Sequence, residues 1–154
     1  FLLISGCSYS FTGASIQPGV ETITIRKFDN TATIVVPTLA QNFSEALRDK
    51  FISQSNLKLK DTDGDLQLSG AITDYAVTPL TVTGNDVAAQ TRLKVAVRAK
   101  FVNVKYPDNN WEHQFEQFAD FPATQSLNSV ESQLVREIQD KLVQDIFNKA
   151  LSNW

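Results

Sequence analysis

Arg92-Leu93-Lys94-Val95-Ala96-Val97-Arg98-Ala99-Lys100-Phe101 alternates apolar with mostly charged side chains. Successive side chains of a strand point to opposite faces, so Leu93, Val95, Val97, Ala99 and Phe101 share one face. Arg92, Lys94, Arg98 and Lys100 share the other. A strand divided in this way belongs to a sheet covered on one side and open on the other. From Val87 to Tyr106 there are five basic residues, counting Lys105, and no acidic one.

Two amphipathic helices are available to cover the apolar face. Leu39, Phe43, Leu47 and Phe51 recur every fourth residue after Pro37, one stripe facing a core, and Thr38 with Gln41 stands at capping-box spacing. This helix should fade near Ser53 to Asn56. From about Ser126 a second stripe runs through Leu127, Val130, Leu134, Ile138, Leu142 and Ile146, widened by Val135, Phe147 and Leu151. Asn128 with Glu131 offers it a cap. At 1.5 Å per residue it would span roughly 35 to 40 Å, enough to cross a four-stranded sheet. Its outer face pairs Arg136 with Asp140, Glu137 with Lys141 and Asp145 with Lys149, a wet surface worth a few tenths of a kcal/mol per pair.

The remaining strands follow from alternation. Val20 to Phe28 sets Ile23 and Ile25 against Thr22, Thr24 and Arg26, and Asp29-Asn30 ends it. Leu57-Lys58-Leu59-Lys60 and Leu66-Gln67-Leu68-Ser69 flank Asp61-Thr62-Asp63-Gly64-Asp65 and read as a hairpin. The three alternate aspartates do not make a calcium loop: Gly64 is fourth and Ile72 twelfth where an EF-hand needs Gly sixth and Glu twelfth. The apolar phase slips between Ile72 and Tyr75, which predicts a bulge at Thr73-Asp74. Thr78 to Gln90 reads as an irregular connection, and Trp111 to Phe121 as a last strand with a further slip between Phe115 and Phe118. The fold class is therefore α+β: two helices on one face of a mixed, roughly four-stranded sheet, order β-α-β-β-β-α, a two-layer sandwich.

Leu3-Ile4-Ser5-Gly6-Cys7 is the pattern of a bacterial lipoprotein signal end, in which the thiol is acylated and the chain cut before it. Cys7 is the only cysteine, so no disulfide competes for it. This predicts a signal remnant over 1–6, a lipidated leader over 7–19 lying along the body, and one α+β domain over 20–154. Two or three acyl chains, at about 0.8 kcal/mol per buried CH2, anchor a protein almost permanently to a membrane surface. With 42% apolar and 20% charged residues the chain is globular, and a net charge of −3 gives no general field toward nucleic acid.

Catalysis finds no footing. His113 is the only histidine, and in a strand it points away from Glu116. The sequence has no serine elbow, phosphate-binding glycine loop or Cys/His cluster, so neither an enzyme nor a cofactor nor a metal is expected.

Taken with the signal end, Tyr9-Ser10-Phe11-Thr12-Gly13-Ala14, Pro37-Thr38-Leu39, Ala119-Asp120-Phe121-Pro122-Ala123-Thr124-Gln125-Ser126-Leu127 and Asp145-Ile146-Phe147-Asn148-Lys149-Ala150 resemble the Bacteroidetes branch of the LptE-like lipopolysaccharide-assembly lipoproteins. The resemblance implies a non-enzymatic outer-membrane lipoprotein on the periplasmic side, seated in a large β-barrel partner (LptD-like). It would stabilise that barrel and help lipopolysaccharide reach the outer leaflet. By analogy, Ser8 after the cysteine, with no acidic cluster following, fits retention at the outer membrane. The other function compatible with an anchor and an open sheet is an adaptor docking on a cell-wall synthase or on barrel-insertion machinery. For Arg92, Lys94, Arg98 and Lys100 three uses stand side by side: lipopolysaccharide phosphates, acidic groups of a partner, and solvation that keeps the sheet from aggregating.

Overall fold

The structure, a computed structural model, describes residues 15–80 and 89–151. The elements in chain order are β1 (Thr22–Ile25), β2 (Asp29–Asn30), α1 (Leu39–Gln54), β3 (Lys58–Leu59), β4 (Leu66–Leu80), β5 (Gln90–Asn103), a 3-10 turn (Pro107–Asn109), β6 (Trp111–Pro122) and α2 (Leu127–Leu151). They form one mixed sheet in the order β3-β1-β4-β5-β6, with β2 beside β4. Both helices lie on one face, as the two apolar stripes require. The sheet has six strands where roughly four were expected: β2 and β3 are two residues each, and β2, over Asp29-Asn30 where the first strand was expected to end, leaves no alternation to read.

The expected hairpin does not form. Ile23 of β1 lies opposite both Leu59 and Leu66, so β1 sits between β3 and β4 and is parallel to each. Parallel neighbours need a crossover, and α1 provides it between β1 and β3. The Asp61–Asp65 segment then straddles β1 and is bound to it. The N–H groups of Gly64 and Asp65 donate to Thr24 Oγ1 and Thr22 Oγ1, each at 2.9 Å. In return, Asp65 Oδ2 accepts the N–H groups of Glu21 (2.9 Å) and Thr22 (3.1 Å), and its other oxygen lies 3.3 Å from Lys105 Nζ. Thr24, on the strand face opposite Ile23 and Ile25, is buried for this reason.

These bonds hold the Asp65 carboxyl below its ordinary 3.8, at about 2, the Glu21 N–H contributing most. A lowered carboxylate pKa stabilises the fold above the unfolded value and ceases to do so as pH falls through the folded one. The clasp on β1 should therefore loosen between about pH 4 and pH 2, costing on the order of 1 kcal/mol after solvent screening. The Glu21 and Thr22 amide shifts, followed by NMR through that window, should titrate together. Amides that stay fixed to pH 2 would deny the clasp.

The bulge is where the phase slip placed it: the β4–β5 register shifts between Ile72 and Asp74. Beyond it β4 continues to Leu80, so the expected connection starts later than Thr78, and residues 81–88 lie outside the described ones. Pro79 is tolerated because its partner Thr91 turns its backbone groups toward β6, and the β4–β5 ladder needs no donor there. The second slip does not exist. β6 runs in unbroken register with β5; Phe115, Ala119 and Phe121 face the helices and Phe118 faces out, 43% exposed.

Neither expected cap forms. Thr38 has φ −98° and ψ −7° with no side-chain cap, Gln41 donates to Glu45 instead, and a turn from Val36 O to Leu39 N–H opens α1. Glu131 accepts from the Tyr75 hydroxyl at 2.5 Å, which ties α2 to β4; burial first, and this hydrogen bond second, raises the Tyr75 pKa. The core contains Ile23, Leu47, Leu68, Ile72, Leu93, Phe101, Ile138 and Leu142, all under 2% exposed. Phe28 packs edge-on against Phe43, and Phe51 against Phe147. No helix among the described residues is long and apolar enough to cross a membrane.

Candidate functional site: the open face of the sheet

Strand register decides what surrounds each cation. On the face away from the helices, β5 presents Arg92, Lys94, Arg98 and Lys100. Opposite them β6 presents Asp120, Phe118, Gln114 and Glu112, and β4 presents Thr78, Ala76, Ala71 and Ser69. Glu116 of β6 and Asp74 at the bulge complete the charges, four acidic against four basic. The face is balanced, not basic, because β6 carries three acids that the stretch from Val87 to Tyr106 does not contain.

Two of the four cations are committed within the sheet. Arg92 makes two parallel hydrogen bonds to Asp120, at 2.8 and 2.9 Å, and its guanidinium lies 3.7 Å from the centre of the Phe118 ring. That stacking accounts for an outward phenylalanine. The Asp120 hydrogen bond raises the Arg92 pKa, and the same bond lowers that of Asp120. Lys94 sits 3.2 Å from Asp74 and 3.6 Å from Glu116; its pKa is raised, first by the Asp74 hydrogen bond.

Arg98 and Lys100 differ. Both are exposed, and among the described residues neither has an ion-pair partner within 4 Å. Ser69 and Ala71 beside them are too short to reach. The result is a shallow hollow of about 290 Å³ whose lining includes Ala71, Thr73, Arg98, Lys100 and Glu112. Two free cations over a floor of small side chains can hold an anion: Arg by a fork of donors, Lys as a point charge. A larger hollow, about 510 Å³, lies between α1 and α2 and includes Glu45, Asp49, Glu131 and Arg136. No His/Cys/Asp/Glu cluster among the described residues could hold a metal. His113 and Glu116 point to opposite faces, as their odd spacing requires.

The sequence profile of the lipopolysaccharide-assembly family LptE matches residues 20–150. The chain belongs to that family. LptE members are non-enzymatic, membrane-associated lipoproteins, and the role of this LptE chain lies in lipopolysaccharide assembly. Its fold is shared with the minor lipoprotein of Acinetobacter baumannii (12% identity, 84% of this chain and 91% of that one, TM-score 0.54). The uncharacterized lipoprotein B of Nitrosomonas europaea (14%, 88% and 83%, 0.55) and the rare lipoprotein B of Shewanella oneidensis (10%, 83% and 90%, 0.53) share it too. At such identities the likeness is one of fold. No curated protein matches the chain.

Cys7 lies outside the described residues. The first described residues are held to the body: Ser15 N–H donates to Leu151 O at 2.7 Å at the end of α2, and Ile16 packs against the core.

Proposed function

We propose that this LptE chain is an outer-membrane lipoprotein acylated at Cys7, with 1–6 the signal remnant and 7–19 the lipidated leader of a domain over 20–154. It faces the periplasm, seats in and stabilises a large LptD-like β-barrel, and assists passage of lipopolysaccharide to the outer leaflet. The observation that carries the ligand side is the pair Arg98 and Lys100, the two stripe cations left unpaired beside a hollow. Arg92 and Lys94 act behind them, holding β4, β5 and β6 in register through their ion pairs. Lipid A offers phosphates for the cations and sugar for the hollow.

The test is capture of lipopolysaccharide by the purified full chain. Arg98→Glu with Lys100→Glu should lower affinity by at least about tenfold, since charge-assisted contacts contribute roughly 1.5 to 3 kcal/mol. Replacing the committed pair, Arg92→Gln with Asp120→Asn, should leave capture unchanged. Undiminished binding by the double reversal would remove the hollow from the ligand path.

A further inference from the structure

We propose that the free edge of β6 docks an extended strand of a partner protein, one that sets Lys or Arg opposite Glu112 and Glu116. The proposal is independent of the lipopolysaccharide reading. It starts from which way the β6 backbone points. Ala123 N–H donates to Ala89 O at 2.9 Å, continuing the register that sets Pro122 opposite Gln90 and Trp111 opposite Phe101. Hydrogen-bonded and non-bonded positions alternate along an antiparallel pair, so odd-numbered β6 residues bond to β5. The N–H and C=O groups of Glu112, Gln114, Glu116, Phe118 and Asp120 face the free edge. Among the described residues none of these groups has a hydrogen-bond partner.

An edge this long is usually blocked by a proline, a bulge, a lysine or a covering segment. The far edge of the sheet is blunted in this way: β3 is two residues long, and the part of β4 past β2 carries Pro79 with its nitrogen turned outward. Between Trp111 and Phe121 β6 has no proline, no lysine and no register shift, and among the described residues no segment pairs with its outer edge. What it has is charge. Glu112, Glu116 and Asp120 stand on the open face of the edge, four residues apart. Asp120 is occupied by Arg92 and Glu116 is shared with Lys94 at 3.6 Å, whereas Glu112 has no ion pair among the described residues.

An incoming strand places its side chains about 5 Å from these, where opposite charges attract and like charges repel. Cations four residues apart, opposite Glu112 and Glu116, satisfy the edge. A second copy does not, because its own β6 brings no Lys or Arg, and the registers centred on Gln114, Glu116 or Phe118 set acid against acid. Residues 1–14 of the chain likewise contain no basic side chain.

The probe is an eleven-residue synthetic peptide of alternating Thr and Val with two Lys four residues apart, compared with the same peptide carrying Glu. Amide hydrogen exchange in the full chain reads the edge directly. The amides of Gln114, Glu116 and Phe118 should exchange fast in the free protein and slow on adding the Lys peptide, which binds about tenfold more tightly than the Glu peptide. Gln114→Pro removes an outward N–H and leaves the β5 ladder intact, so it should abolish binding without lowering Tm appreciably. Glu112→Lys with Glu116→Lys should reverse the peptide preference, whatever the fate of the proline variant. Outward amides already protected in the free protein, protection that grows with protein concentration, or equal binding of the two peptides would each overturn the proposal.

Discussion

Phe51→Ala should destabilise the protein by about 3 to 5 kcal/mol in urea unfolding, the largest effect of a single truncation we expect. Phe51 is the last apolar residue of the α1 stripe and is fully buried. Its ring meets Phe147 of α2 edge-on at 5.1 Å, and Lys50 Nζ lies 5.5 Å from the same Phe147 ring. Removing the Phe51 ring loses its transfer free energy and leaves a cavity between two helices already pinned to the sheet by Leu47 and Ile146. Collapse into that space is hindered, which places the cost in the upper part of the range. Phe147→Ala should cost similarly, and the double variant should show a coupling of about 1 kcal/mol from the ring pair. For a domain whose whole stability is roughly 5 to 15 kcal/mol, such a loss is near the limit of folding. A cost under about 1.5 kcal/mol would mean that the helices are not clamped at this point.

Gly70→Ala should cost about 3 kcal/mol although it adds one carbon. Gly70 lies on the helix side of β4, opposite Ala99, and a Cβ there would run into the Arg98 carbonyl and the Phe28 ring. Its backbone has no special dihedral angle; it is the close approach of the Arg98 carbonyl first, and of the Phe28 ring second, that excludes a side chain. A flexible neighbour would move aside, but the obstacle on one side is strand backbone, so either the β4–β5 spacing or Phe28 must shift. A companion change at the other side of the ladder, Ala99→Gly, should not rescue it, because the carbonyl belongs to Arg98. Thermal unfolding of the two variants separates this from a general weakening of the strand pair. An unchanged Tm in Gly70→Ala would contradict the packing of Phe28.

The periodic parts of the fold were legible because they repeat. The stripes Leu39 to Phe51 and Leu127 to Leu151 and the alternation of β5 each average over many residues, and the bulge at Thr73-Asp74 appears as a break in such a pattern. Strand order was hidden. Leu57 to Lys60 and Leu66 to Ser69 look the same whether they pair with each other or with opposite edges of β1, and only the Thr22, Thr24, Gly64 and Asp65 bonds distinguish the two. Phe118 read as a slipped core residue because sequence spacing cannot show that Arg92 stacks on it from the next strand. The same blindness affected the candidate site. Four cations on one face were plain, but that Asp120, Glu116 and Asp74 take two of them depends on register. The acids of β6, four residues apart, were the available signal.

The assignment to a lipopolysaccharide-assembly lipoprotein seated in a barrel is tested most directly by co-purification. A tagged full chain, extracted in detergent from the outer membranes of the native host, should bring down one very large β-barrel protein in near-equal amount, together with lipopolysaccharide. Recovery of cell-wall synthases or of the general barrel-insertion machinery in its place would contradict the account.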